Sequence, residues 1–463
     1  MYFGEKKGEK IIMSNTKSTE IFRDAPVPKA VLSNIIPSVI SMIMVLVYNL
    51  ADTFFIGQTK NPYMVAAVSL ATPVFLIFMA VGMLFGIGGT SLISRMLGEG
   101  KNKFAKNTSS FCFWSGAVIG IIAMIMILIF ADPVCRLVGA SKDTIDYSRQ
   151  YLQILAFGIP FLIISNTFSN IIRADGNARK AMMGMVLGNI TNIILDPLMI
   201  LVFGWNVVGA AIATVIGNVV SMIVYMSHLL SPNTMLSIRL SDFTLSKKIV
   251  LGVFAIGVPA SLNSILMSSS NIIINNMMST YNDMAVAGLG VAMKVNMIVA
   301  MLLIGVGTGI QPLLGYCYGA GNRKRYMDVL KFSCILALCI SLVMTAVCYF
   351  GAAGLVNAFL DNPDAFTYGF EFSRILIISG PVLGLLFVFV NAIQATGAAI
   401  PSLILSVSRQ GLVYLPILFV FRAVFDSPHM LVLTQPVTDY LALIMAIVLF
   451  IVTIRKYFTA KQP

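Results

Sequence analysis

The chain states one pattern twice, about 220 residues apart, and that repeat constrains its fold more than any other feature. Ile36-Pro37-Ser38 returns as Val258-Pro259-Ala260, and Gly98-Glu99-Gly100-Lys101 returns as Gly319-Ala320-Gly321-Asn322. Gly158-Ile159-Pro160 returns as Ser379-Gly380-Pro381. Asn170-Ile171-Ile172-Arg173-Ala174-Asp175-Gly176 returns as Asn391-Ala392-Ile393-Gln394-Ala395-Thr396-Gly397, and Asp196-Pro197 as Leu415-Pro416. The offset stays between 219 and 222. Doubled apolar bundles with a slit between the halves are a common construction among secondary transporters. The copies also differ in chemistry: the first carries mid-span acids that the second lacks.

Of the 463 residues, 58% are apolar and 11% charged. That balance, in long apolar runs, describes a polytopic membrane protein. Twelve runs reach the roughly 20 residues a span requires: 31–57, 63–94, 107–131, 150–172, 179–203, 207–229, 248–279, 284–316, 327–352, 372–396, 400–425 and 435–455. The expected fold is therefore all-α, with twelve transmembrane helices in two six-helix parallel repeats. Six spans per half give both halves the same orientation in the bilayer. The expected organisation is an N-terminal tail (1–30), an N-lobe (31–229), an inter-lobe linker (230–247) acting as a tether, a C-lobe (248–457) and a C-terminal tail (458–463).

The net charge of +12 raises the question of a nucleic-acid partner, and its placement answers it. With both termini in the cytoplasm, 23 of the 31 Lys and Arg fall in cytoplasmic segments and span ends, and six fall outside. This asymmetry follows the positive-inside rule, so no anionic partner is needed to explain the basic charge. The expected location is the inner or plasma membrane, multi-pass, with no nucleic acid bound and a monomeric chain. The six Cys are scattered without a C-x-x-C pair, and the two His, His228 and His429, lie in different segments. Neither pattern suggests disulfides or a metal cluster. No signal peptide is expected in residues 1–30. Met13 begins a segment that resembles a natural start, so 1–12 reads as either an upstream start or leftover sequence, and a poorly ordered tail is expected.

Ionisable residues inside a bilayer are rare and are functional candidates by default. Four stand out: Asp52, Asp196, Lys294 and Arg409. Counting at 1.5 Å per residue places Asp52 and Asp196 roughly 8–10 Å below the outer surface. Thr214 falls at a similar depth in the sixth span, Asn192 sits one helical turn from Asp196, and Tyr151 opens the fourth span. Carboxylates with amide and hydroxyl partners can take a proton, because an apolar site disfavours the charged form, or can hold a hard monovalent cation. The repeat maps Asp52 to Ile274, Asn192 to Gly411 and Asp196 to Leu415, so the second half lacks this chemistry. Pro37, early in a long first span, suits either packing geometry or a hinge. The seventh span offers Ser268, Asn271 and Asn275 as candidates to line a substrate cleft. Lys294 and Arg409 are further cleft candidates with a structural anchor as the favoured role. The second half offers no acid at their depth, since Asp328 and Asp439 fall near span ends.

The run Tyr48-Asn49-Leu50-Ala51-Asp52-Thr53-Phe54-Phe55-Ile56-Gly57 resembles the first span of the multidrug and toxic compound extrusion (MATE) transporters. So do Phe85-Gly86-Ile87-Gly88-Gly89 with Ser94-Arg95-Met96-Leu97-Gly98, Arg173-Ala174-Asp175-Gly176-Asn177, Asn192-Ile193-Ile194-Leu195-Asp196-Pro197 and Ser408-Arg409-Gln410. The resemblance covers about residues 25–458 and is closest to a bacterial branch. It implies two lobes, alternating access, and export of cationic amphipathic compounds driven by H+ or Na+, with no other cofactor. It assigns cation coupling to Asp52, Asn192, Asp196, Thr214 and Tyr151, and the bending proline to Pro37. No metal is expected apart from Na+ at Asp52 and Asp196, should sodium be the coupling ion. Some members of the family also use acids in the seventh and tenth spans; this chain has Ser or Asn there.

The alternative from the same mechanical class is a carrier or flippase of a lipid-linked precursor or an endogenous metabolite. An anionic cargo would need a cationic cleft, and few candidate cations exist beyond Lys294 and Arg409. An enzyme is not expected: no H-E-x-x-H, no Ser/His/Asp set within the spans and no phosphate-gripping Gly-rich loop is present.

Overall fold

The computed structural model describes residues 20–58, 62–142, 144–232, 234–360 and 362–459. The expectations for the tails at 1–19 and 460–463 lie outside the described residues. Among the described residues the regular structure is helical, with no strand. Lipid offers no hydrogen-bonding partner to the backbone, so each apolar run must satisfy its own peptide groups, which a helix does.

Eleven helices are long and apolar enough to cross a membrane. The first six spans are Val27–Gly57, Ala66–Gly98, Asn102–Ile129, Ile145–Ala174, Ala178–Val202 and Asn206–Leu229. The next three are Lys247–Met278, Asp283–Gly319 and Arg323–Phe350. A bent pair, Pro363–Ile377 and Gly380–Thr396, makes the tenth. Ala399–Phe425 and Pro428–Arg455 are the eleventh and twelfth. This is the all-α, twelve-span architecture expected from the apolar runs.

Two details depart from the expected outlines. The tenth span starts nine residues early and turns by 48° at its break. Ser379 precedes Gly380-Pro381, and Pro381 can open a helix but has no N–H to continue one. The twelfth helix starts at Pro428 and not near 435, which carries Asp439 three turns into the helix. Pro37 and Pro259, by contrast, sit inside unbroken helices.

The chain packs as two compact units. Unit one, over described residues, contains 20–25 and Ile43–Gly257; unit two contains Pro26–Met42 and Val258 onward. The first and seventh helices are thus each divided between units. Residues 230–257, including the segment expected as a tether, pack within unit one.

Glycine permits the approach that seats each divided helix. In unit one, a Cβ on Gly88 would stand 2.1 Å from the Val253 carbonyl oxygen, and one on Gly257 would stand 2.2 Å from the Leu84 carbonyl oxygen. In unit two, a Cβ on Gly305 would meet the Val39 Cα at 2.8 Å, and one on Gly309 would meet the Ile35 Cα at 2.9 Å. Backbone-to-backbone contact of this kind is how helices associate where the solvent is as apolar as the side chains. Gly88→Ala and Gly257→Ala should each lower the melting temperature of the detergent-purified protein, with a cost of about 1–3 kcal/mol from overpacking. Gly290→Ala, where nothing lies within 4 Å, should leave it unchanged or raise it slightly. Equal behaviour of all three variants would remove the close-contact argument.

Candidate cation-coupling site

The site is built where the fifth and sixth helices cross within unit one. Gly188 and Gly217 face each other so closely that a Cβ on either would stand 2.6 and 2.8 Å, respectively, from the other's carbonyl oxygen. Ser221 donates to the Gly184 carbonyl at 3.0 Å and Tyr225 to the Ala181 carbonyl at 3.2 Å, tying the same two helices together further along. The crossing brings Asn192, on the fifth helix, against Thr214 on the sixth.

Asp196 is fully buried one turn beyond Asn192, just before Pro197 and a π-helical turn at Leu198–Val202. π-Helical turns gather at functional positions because they re-aim side chains. The Asn192 amide lies between a carboxylate and two donors, and only one orientation avoids setting oxygen against oxygen. In that orientation its nitrogen donates to Asp196 Oδ2 at 2.8 Å, and its oxygen accepts from the Thr214 backbone at 3.0 Å and from the Thr214 hydroxyl at 3.3 Å. The second Asp196 oxygen, Oδ1, is buried without a hydrogen-bond partner.

Asp52 comes from the first span and is half-buried. It acts electrostatically on Asp196. Tyr151, buried on the fourth span, feels both carboxylates. All five residues singled out for cation coupling therefore converge in unit one. Sequence reasoning missed Tyr48, which also feels both carboxylates and lies beside the Thr214 side chain. Its spacing of one turn from Asp52 was a usable signal. Asn218, one turn from Thr214, was missed as well. It donates to the Thr214 carbonyl at 2.9 Å and accepts from Ser165 of the fourth span at 3.1 Å.

The arrangement offers two carboxylates surrounded by neutral partners: an amide, hydroxyls and phenols. Such a set can exchange a proton or coordinate a hard monovalent cation through oxygen, and two neighbouring carboxylates titrate as a pair. Among the described residues, no group of three or more His, Cys, Asp or Glu is placed to hold a metal ion.

The corresponding region of unit two is apolar. Ile274 is buried with Tyr414 and Leu418, and Leu415 packs against them. The expectation that Arg409 has no acid at its depth is corrected. Arg409 Nε donates to Asp439 Oδ1 at 3.1 Å, and Gln435 donates to the same oxygen at 3.1 Å. Asp439 is reached because the twelfth helix starts earlier than its apolar run suggested. Arg409 also lies 5.0 Å from the Phe387 ring centre and belongs to a second π-helical turn, Ser408–Leu412. Ser270 fixes that turn by donating to the Gln410 carbonyl at 2.7 Å. Lys294 is exposed and lies 5.3 Å from the Phe359 ring centre. Ser268, Asn271 and Asn275 are half-buried along the seventh helix, and Ser268 bonds to its own helix at the Ser264 carbonyl. Pro37 is buried in unit two, where its carbonyl accepts from Ser41 at 2.8 Å.

Twelve apolar spans in two repeated units, one of them with a buried carboxylate, suit a membrane transporter. The sequence model of the MatE family matches residues 37–198 and again residues 259–420. The chain belongs to the MATE family. It is similar to the multidrug export protein MepA of Staphylococcus aureus (strain MSSA476), with 30% identity over 405 residues covering 87% of this chain and 89% of the relative. MepA of Staphylococcus haemolyticus (strain JCSC1435) is 29% identical over 430 residues, covering 91% and 94%. A solved outward-facing MATE transporter of the MOP superfamily matches with a TM-score of 0.90 and 25% identity over 95% of this chain and 98% of its own. A MOP-superfamily transporter from Pyrococcus furiosus, whose binding pocket is described as having reversed polarity, matches with a TM-score of 0.88, 25% identity, and coverage of 96% and 99%.

The Arg409–Asp439 pair gives a direct test of its structural weight. Arg409→Met should destabilise the purified protein by about 3–5 kcal/mol, because it strands a buried carboxylate, whereas Arg409→Met with Asp439→Leu should recover most of that loss. Equal melting temperatures for the single and double variants would show that the pair is not a unit.

Proposed function

We propose that the protein is a secondary active multidrug exporter that exchanges cationic amphipathic compounds for H+ or Na+ by alternating access. The observation that carries this reading is Asp196: fully buried, bonded only by the neutral Asn192 amide among the described residues, and acted on by Asp52. A charge left in an apolar bundle without a fixed counter-charge is stabilised by a mobile one, a proton or a sodium ion. Asp52, Asn192, Asp196, Thr214 and Tyr151 form the coupling site, and Pro37 is the hinge of the first span. The protein works as a monomer in the plasma membrane with both termini in the cytoplasm, the side to which its Lys and Arg are biased. The export role of the staphylococcal relatives supports the substrate class.

An anionic lipid-linked cargo is less well supplied. Of the two cations expected at the cleft, Arg409 is already paired with Asp439, which leaves Lys294.

The test is substrate flux in proteoliposomes under an imposed pH or sodium gradient. Asp196→Asn keeps the shape but cannot exchange a proton or balance a cation, so it should reduce gradient-driven export to the level seen without a gradient while the protein still reconstitutes. Gradient-driven export retained in this variant would make Asp196 structural. The pH arm and the sodium arm, run separately on the unaltered protein, identify the coupling ion. Ser268→Ala or Asn271→Leu should change the relative rates for several chemically distinct cations and leave the dependence on the gradient intact. Loss of gradient dependence for every cation would move the ion path into unit two.

A further inference from the structure

The motif Arg173-Ala174-Asp175-Gly176-Asn177 is not used by the coupling site, and its acid gathers four hydrogen-bonding partners. Asp175 is fully buried. Its Oδ1 accepts from the Met235 backbone at 3.0 Å. Its Oδ2 accepts from the Thr234 hydroxyl at 2.8 Å and from the Asn177 amide at 3.2 Å, with His228 Nε2 at 3.3 Å. Thr234 and Met235 belong to the segment between the sixth and seventh helices.

That segment is bound at several points between Thr234 and Phe243. The Thr234 hydroxyl accepts from the Leu236 backbone at 3.1 Å, and Leu236 is buried. Ser110 and Trp114 of the third helix donate to the carbonyls of Arg239 at 2.7 Å and Ile238 at 3.1 Å. Phe243 stacks on Phe111 with ring centres 6.4 Å apart. Ser237 donates to Asp242 at 2.5 Å and accepts from the Arg239 backbone at 3.2 Å, so the strap also braces itself.

The second copy of the motif shows what Asp175 is for. Its counterpart, Thr396, makes only local bonds, donating to the Ile393 carbonyl at 2.7 Å and accepting from the Ala398 backbone at 3.3 Å. The chain after the sixth helix must run on to the seventh, and the acid is present in the copy where that connection exists. A charged acceptor bonded to a backbone N–H and a hydroxyl holds a chain more firmly than neutral pairs do.

We infer that Asp175 is a positioning residue that locks segment 230–246 onto unit one as a fixed strap, so that the seventh helix begins as a rigid part of that unit. The connection between the repeats is then no flexible tether. The chain leaves unit one inside the seventh helix, after Gly257.

The test is hydrogen exchange by mass spectrometry on the full-length protein in detergent, with Asp175→Ala and, as a milder variant keeping the carboxylate, Thr234→Val. Loss of a charge-assisted hydrogen bond should raise the open population of the strap by about tenfold or more, and with it the exchange of the Met235 and Leu236 amides. The rise should be confined to 230–246 and smaller in Thr234→Val, while peptides of the third, fourth and sixth helices keep the exchange of the unaltered protein. Unchanged strap exchange in both variants, or a rise spread evenly through unit one in both, overturns the inference. The measurement involves no transport, so it stands apart from the proposed export activity.

Discussion

The structure depends on backbone surfaces that touch where no hydrophobic effect drives them together. Lipid tails are as apolar as Leu, so helices in a bilayer gain by close packing and by hydrogen bonds. Gly88 and Gly257 let the seventh helix lie on the second in unit one, and Gly305 and Gly309 let the first lie on the eighth in unit two. The same device, at Gly188 and Gly217, places Asn192 beside Thr214. The polar site is therefore a consequence of the packing: its hydrogen bonds are made because small residues allow two backbones to approach.

That approach makes the burial of Asp196 tolerable. A carboxylate in an apolar bundle needs partners, and Asn192 is fixed to supply one because its own oxygen is occupied by Thr214. Tyr48 lies beside the Thr214 side chain, and Asn218 holds the Thr214 carbonyl while accepting from Ser165 on the fourth helix. Each neutral partner orients the next, so the only charges in the cluster are carried by Asp52 and Asp196. Partners of this kind set a geometry without cancelling the charge, which suits a site meant to take up and release a cation.

The repeat, the twelve runs and the shared face of Asn192 and Asp196 were legible in the sequence because each follows from counting. Asn192 and Asp196 share a face by being four apart, and the depth of Asp52 and Thr214 follows from the rise per residue. What could not be counted was contact between elements. The ends of an apolar run do not mark the ends of a helix: the twelfth begins at Pro428 with His, Thr and Gln in its early turns, and this hid the pairing of Arg409 with Asp439. The bend at Ser379 was also hidden, since the matching Pro160 sits inside an unbroken helix. The strap was hidden because the groups that hold it, Asp175, Ser110 and Trp114, come from distant segments of the chain.

The two units answer the same problem differently. Unit one buries its acids among neutral groups, and unit two buries Asp439 against the fixed charge of Arg409. A fixed guanidinium satisfies a carboxylate permanently, because Arg does not give up its proton. A mobile cation satisfies it only while bound. At the positions that match Asp52 and Asp196, unit two carries Ile274 and Leu415, so the same scaffold packs apolar side chains where unit one places acids. The consequence is physical: Asp196, held by neutral groups, still lacks a fixed counter-charge among the described residues, whereas Asp439 already has one.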